Sequence, residues 1–201
     1  IANLISVPFQ NNTNFNVGPE SGTQNVLNIQ PVIPISLNED WNLITRTIIP
    51  VITQPGFVPN QGSTTGLGDI QFSAFLSPAN AAGWIWGAGA IVQAPTHSSD
   101  SLGNDRWGAG PTAVVLRLQP GNPWVFGALV NNVWSIGSSG DPSYNNFLLQ
   151  PFVNYNLPGG AYINTAPVMA MRMLPLVSPD MFGPWAGVGF GSWAGAGSHA
   201  L

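Results

Sequence analysis

The chain has 201 residues, a net charge of −4 and only 6% charged side chains, with no cysteine. Its four basic residues, Arg46, Arg106, Arg117 and Arg172, are scattered, so the sequence excludes the clustered positive charge that a nucleic-acid partner requires. The absence of cysteine excludes a disulfide framework and a thiolate metal site. Because soluble domains typically carry about 25% charged residues, this composition favours a surface that faces lipid.

The apolar segments are too short for membrane-spanning helices. Proline and glycine interrupt every apolar run before it reaches the roughly 18 residues that a spanning helix needs. A helical membrane protein is therefore excluded.

Ten stretches alternate apolar residues with small or polar ones, which is the period of two of a β-strand. In chain order, the predicted strands cover residues 3–9, 24–35, 41–52, 68–76, 84–94, 107–118, 124–135, 146–156, 161–173 and 182–193. Strands of about ten residues that present one face to lipid and one to a lumen are typical of an antiparallel transmembrane β-barrel. A soluble β-sandwich with tryptophans in its core is the alternative.

The connections between these strands alternate in length. The long, polar ones cover residues 10–23, 53–67, 95–106 and 136–145, and the tight turns cover residues 38–40, 77–80, 119–122 and 157–160. Outer-membrane barrels have short periplasmic turns and longer extracellular loops. The alternation therefore predicts a bacterial outer-membrane location with a periplasmic N-terminus.

The alternation also divides each strand into two faces. Along residues 26–35, for example, Leu27 and Ile29 share one face while Asn28 and Gln30 share the other. Applied to all strands, it predicts that the lumen is lined by Asn28, Gln30, Asn42, Arg46, Asp69, Gln71, Ser73, Gln93, Arg117, Asn131, Gln150, Asn154, Asn156, Asn164 and Arg172. If this wall is wet, its excess of arginine predicts a mild preference for anions. If the amides bond one another, the barrel is plugged instead.

Aromatic residues lie near the predicted strand ends, where a membrane barrel has its aromatic girdles. Trp124 and Trp134 share a face ten residues apart, which corresponds to about 33 Å of strand and about 25 Å of membrane height after tilting. The predicted girdle consists of Trp41, Trp84, Trp86, Trp124, Trp134, Tyr155, Trp185 and Trp193.

The sequence offers one candidate for catalysis. His97 and Ser99 have the i, i+2 spacing of a histidine base and a serine nucleophile on one strand face. They lie in a polar loop, so a solvated histidine is the preferred interpretation. Asp100 and Asp105 of the same loop are interpreted as solvated carboxylates rather than calcium ligands. We therefore expect no catalytic residue, no metal and no cofactor.

Several segments carry a family resemblance. They cover residues 3–16, 24–36, 40–52, 66–72, 128–134 and 147–158, and the likeness weakens after residue 158. They closely resemble Gram-negative outer-membrane proteins that are usually described as transporters of the phenol meta-pathway type, and sometimes mislabelled neuromedin U. The resemblance implies a twelve-stranded barrel for passage of small, including hydrophobic, compounds, and it brings no catalytic residues.

Together these observations predict one barrel domain over residues 1–201, closed by ten strands or continued by further ones. The leading function is a passive outer-membrane channel or transporter for small molecules. The alternatives are a non-conducting structural or partner-binding barrel, and an outer-membrane esterase that uses His97 and Ser99. The outer-membrane lipid is the expected partner, while the solute and the oligomeric state stay open.

Overall fold

The computed structural model describes residues 5–18, 20–56, 62–80, 83–119, 121–137, 143–157, 162–172, 188–189 and 191–193. These residues form fourteen strands in one antiparallel sheet. In chain order the strands are β1 (Phe9–Val17), β2 (Gly22–Ile29), β3 (Val32–Ser36), β4 (Trp41–Gln54), β5 (Thr64–Leu67), β6 (Ile70–Pro78), β7 (Trp84–Ala94), β8 (Trp107–Arg117), β9 (Trp124–Ile136), β10 (Asn145–Asn156), β11 (Tyr162–Thr165), β12 (Val168–Arg172), β13 (Val188–Gly189) and β14 (Gly191–Trp193).

The pairings run continuously around a ring. From β1 the order is β2, β4, β6, β7, β8, β9 and β10, after which β10 pairs with β11, β11 with β14, and β14 with β1. Strands β2 and β3 pair with β4 in the same register, so they are one chain pass, interrupted at Pro31, which has no N–H to donate. The prediction of an all-β antiparallel barrel is confirmed. Within the described ranges, no helix is long and apolar enough to cross a membrane.

The first predicted strand and the connection after it are wrong. Residues 10–23 form most of the β1–β2 hairpin, with a tight turn in which Gly18 and Ser21 have φ of 76° and 51°. Residues 3 and 4 of the predicted strand lie outside the described residues, and among residues 5–8 only Ser6 forms an isolated bridge, to Val32. The amides that made the segment look like a loop are bonded across the hairpin, because Asn14 donates to Gln24 at 2.8 Å.

The later predicted elements agree better with the structure. Strand β7 has the predicted bounds, and β8, β9 and β10 differ from prediction by one residue at one end. The predicted connection 53–67 is shorter than expected, because β4 extends to Gln54 and β5 pairs with it. The predicted strand 182–193 lies outside the described residues except for β13 and β14.

The connections between strands alternate between the two rims of the barrel. One, the turn rim, carries the connections 37–40, 79–83, 118–123 and 157–161, and the other, the loop rim, carries 18–21, 55–63, 95–106 and 137–144. Asn38 closes its turn by accepting the backbone N–H of Asp40 at 2.9 Å and of Trp41 at 2.8 Å.

Candidate functional site: the barrel interior and its mouth

The outer face of the sheet is apolar and exposed. Phe72 is 46% exposed, and its cross-strand partners Thr47 and Val92 share that face. The other large exposed hydrophobic residues on this face include Leu76, Val115, Phe126, Ile136, Met169 and Met171. An apolar surface this extensive is unusual for a protein in water.

Most of the predicted girdle residues lie on this outer face at the strand ends. At the turn rim, Trp41 contacts Trp86 edge to face at 6.3 Å, and Trp124 contacts Tyr155 at 4.8 Å. Trp84 lies on the outer face at the turn rim, and Trp134 lies on the outer face near the loop rim. Trp193 lies in β14, paired with Asn164, and Trp185 lies outside the described residues.

Arg117 contradicts its predicted place in the lumen. It pairs in register with Trp84 and Phe126 on the outer face, and its guanidinium lies 5.5 Å from the Trp84 ring centroid. Strand β8 is almost continuously apolar, so its sequence does not show which residues share a face. The sequence analysis therefore assigned Arg117 to the wrong face. A guanidinium at the turn rim that stacks on tryptophan suits an interface position.

The structure places twelve of the predicted lumen residues on the inner face. Register and burial put them there together with unpredicted Gln10, Asn12, Gln54, Ser77 and Thr112. The twelve are Asn28, Gln30, Asn42, Arg46, Asp69, Gln71, Ser73, Gln93, Asn131, Gln150, Asn154 and Asn156. Asn164 pairs with Asn154 and Arg172 pairs with Asn146.

One side of the interior is a polar network. Gln30 donates to Gln10 at 2.8 Å and accepts from the Arg46 guanidinium at 2.5 Å. On the same inner face, Gln24 of β2 donates to Gln54 of β4. Buried polar groups are stable only when they are bonded in this way, so these amides bind one another as well as the arginine.

Buried apolar residues also line the inner face, which the sequence analysis did not predict. Four of them lie on β6, β7 and β9 and are each at most 7% exposed: Phe75, Ile91, Leu129 and Val133. They share the strand face of Ser73, Gln93 and Asn131, but the prediction counted only the polar residues of that face. The inner face of these strands is therefore mixed, with buried apolar residues beside buried Ser73 and Asn131.

Asp69 is turned into the interior by a β-bulge. Between the pairs Leu67 with Val51 and Gln71 with Ile48, three residues face only two on β4. A bulge of this kind adds one residue to a strand and redirects a side chain. The Asp69 side chain is consequently only 6% exposed.

The Asp69 carboxylate organises the connection 95–106, which we call the strap. Its Oδ1 accepts from His97 Nδ1 at 2.7 Å and from the backbone N–H groups of Thr96 and His97. Its Oδ2 accepts from the backbone N–H of Asn104 at 2.9 Å and from Gln93 Nε2 at 3.2 Å. One buried carboxylate thus holds both ends of the strap.

His97 is enclosed between carboxylates, so the expectation of a solvated histidine is wrong. Its side chain is 7% exposed, with Nδ1 at Asp69 and Nε2 3.2 Å from Asp105 Oδ1. The hydrogen bond to Asp69 raises the pKa of His97 against the opposing effect of burial, and the charges of Asp69, Asp105 and Asp100 raise it further.

The strap forms part of the wall of an open cavity of about 360 Å³ at the loop rim, through Leu102, Gly103 and Asn104. Leu102 of the strap is buried and lines it together with Ile52 of β4 and Asn146 of β10. In the ring, β4 and β10 are separated by four strands on one side, β6 to β9. The cavity therefore reaches across the interior beneath the strap, between polar Asp69, Gln93, Asn104 and Tyr144 and apolar Pro50 and Ile52.

The catalytic candidate is not assembled. Ser99 Oγ bonds to Ser101 Oγ at 3.3 Å, while both ring nitrogens of His97 face carboxylates. A histidine in that position has no nitrogen directed at a serine hydroxyl. In the described part of the chain, no group of three or more His, Cys, Asp or Glu residues is arranged to hold a metal ion.

The comparisons with known proteins agree with the fold. No family model and no curated protein matches the chain. Among solved structures, the crystal structure of an outer membrane channel from Pseudomonas putida F1 is similar, with a TM-score of 0.59 and 20% sequence identity over 82% of this chain and 70% of that chain. The protein thus has the β-barrel fold of an outer membrane channel.

Proposed function

We propose that the protein is a passive outer-membrane channel for small molecules, with a periplasmic N-terminus. The apolar outer face, with its aromatic residues at both rims, supports the membrane location. The fold shared with an outer membrane channel supports passage as the function.

The observation that carries the proposal is the cavity of about 360 Å³ at the loop rim, which is lined by both polar and apolar residues. A molecule with an apolar body and one hydrogen-bonding group fits such a lining, because Ile52 and Leu102 contact its body while Gln93 and Asn146 bond its polar group. The proposed solutes are therefore small and amphipathic or hydrophobic. The channel of the phenol meta-pathway type implied by the sequence resemblance is consistent with this class.

Conductance in planar bilayers and uptake into proteoliposomes test the proposal. Ile52 lines the cavity, and its neighbour Val51 points to the outer face. We expect Ile52→Trp to reduce uptake of a small aromatic alcohol, because the larger ring fills the path, and Val51→Trp to leave uptake unchanged. Equal uptake by the two variants would contradict passage through this cavity.

A non-conducting barrel is the second candidate, and the polar network favours it. Gln10 and Gln30 are at most 2% exposed, and Gln30 also bonds Arg46, so this side of the interior is closely packed. A refolded protein that neither conducts ions nor admits any solute would establish this candidate.

A further inference from the structure

The strap lies across the mouth as a folded unit and not as a free loop. Ser98 exchanges backbone and side-chain hydrogen bonds with Leu67, each at 3.0 Å. At the other end, Tyr144 donates its hydroxyl to the Arg106 carbonyl at 3.3 Å, and Arg106 donates to the Gly137 carbonyl at 2.6 Å. The strap is thus tied to β5 on one side of the mouth and to the β9–β10 connection on the other.

Close packing also matches the strap to the site beneath it. A Cβ on Gly103 would lie 2.4 Å from His97 Nδ1 and 2.5 Å from Asp69 Oδ1. A Cβ on Gly66 would meet the side chains of Ser98 and Leu102 at less than 3 Å. Only glycine leaves room for the strap at these two positions.

The ring of His97 indicates which charge state holds the strap. Both nitrogens lie within 3.2 Å of a carboxylate oxygen, and only the protonated imidazole has an N–H for each. The neutral ring leaves one lone pair directed at a carboxylate, which is repulsive. Deprotonation therefore weakens the hold on the strap.

The charged and titratable groups around this ring favour its protonated form. Asp69 faces it from the bulge before β6, and Asp100, Asp105 and Arg106 belong to the strap itself. Tyr144 precedes β10. Its burial raises its pKa, and the charge of the nearby Asp69 raises that pKa further. The raised pKa of His97 means that the stabilisation is complete at acidic pH and is lost as the pH rises through that pKa.

We propose that the strap is a gate at the mouth of the cavity, held in the cavity wall by a latch of Asp69, His97 and Asp105 and released as His97 loses its proton. The proposal rests on the proposed function, because a gate requires passage. Release widens the cavity, since Leu102 leaves the wall between β4 and β10.

A nitroxide label on the strap tests the latch without relying on transport. The chain has no cysteine, so Ser101→Cys, at an exposed strap position, gives one label site. We expect Asp69→Asn and Gly103→Ala each to raise the mobile fraction of the label about tenfold, because a buried charged acceptor is lost or displaced. Asp40→Asn removes the same charge at an exposed position of the turn rim, away from the strap, and should leave the fraction near wild type.

Titration of the label tests the role of His97. The mobile fraction of the label in the wild type should rise with pH, and His97→Gln should remove that step. In a separate measurement, the conductance of Asp69→Asn should exceed that of the wild type. An unchanged label in Asp69→Asn and Gly103→Ala, or a pH step that persists in His97→Gln, would overturn the latch. If the label is released but no variant conducts, the proposed function fails and the gate fails with it.

Discussion

At the residue scale, Asp69 shows how one extra residue changes the role of a side chain. The sequence analysis placed it in the lumen wall, on the predicted strand 68–76. The structure places it at the mouth, beside the bulge, where it forms an ion pair with His97. Arg46 bonds Gln30 deeper in the interior, and Arg117 lies on the outer face. A pairing across 28 residues of sequence cannot be read from a period of two.

Gly89 gives a prediction at the same scale. A Cβ at this position would lie 1.8 Å from the Ala74 carbonyl oxygen, which is backbone of the neighbouring strand β6. We expect Gly89→Ala to destabilise the barrel by about 1–3 kcal/mol, because the strands must move apart. Gly62 has open space around its Cβ position, so Gly62→Ala is the matched control. Thermal unfolding in detergent micelles measures both, and equal midpoints would contradict the close approach.

At the scale of the element, strand bounds were predictable where local residues mark the strand ends. Strands β7, β8 and β9 each begin with tryptophan next to turn or loop residues, so their bounds could be predicted from the sequence. Strand β1 has the sequence Phe-Gln-Asn-Asn-Thr-Asn-Phe-Asn-Val, and its amides have a low intrinsic preference for strands. Its pairing depends on partners in β2, which local sequence does not reveal.

The faces of the strands give the second prediction. Phe72 lies on the outer face of β6 as the third of its nine residues, and the adjacent Gln71 faces the interior, where it donates to Gln93 at 3.0 Å. In a bilayer, Val130→Arg at the middle of β9 should destabilise the barrel by about 2–4 kcal/mol, because the charge enters hydrocarbon. Phe72→Arg should also destabilise the barrel, and Gln71→Arg should cost much less. Urea titration in lipid vesicles measures these differences, and similar losses for Phe72→Arg and Gln71→Arg would refute the assignment of faces.

At the scale of the whole molecule, the two rims predict the orientation in the membrane. Ser63 at the loop rim and Glu39 at the turn rim are both exposed, and the chain has no native cysteine. On intact cells, an impermeant maleimide should label Ser63→Cys and spare Glu39→Cys, because the loop rim is proposed to face outward. Labelling of both variants after lysis is the control. The reverse pattern on intact cells would invert the orientation.

The distribution of charge over the whole barrel reverses the expected ion preference. The anion preference expected from the sequence depended on Arg46 and Arg117 in the wall, but Arg117 is outside and Arg46 is buried against Gln30. The mouth instead carries Asp69, Asp100 and Asp105 against Arg106 and protonated His97, which leaves an acidic excess there. Acidic groups at a constriction favour cations.

The last prediction is therefore a mild cation preference, measured as the reversal potential across a bilayer that separates two concentrations of potassium chloride. Replacing Asp100 by asparagine should move that potential toward zero, because the local field at the mouth falls. Arg117→Gln also removes one charge, yet at the outer turn rim it should leave the potential unchanged. Anion preference in the wild type, or a shift caused by Arg117→Gln, would show that the arginines and not the mouth aspartates set the field along the path.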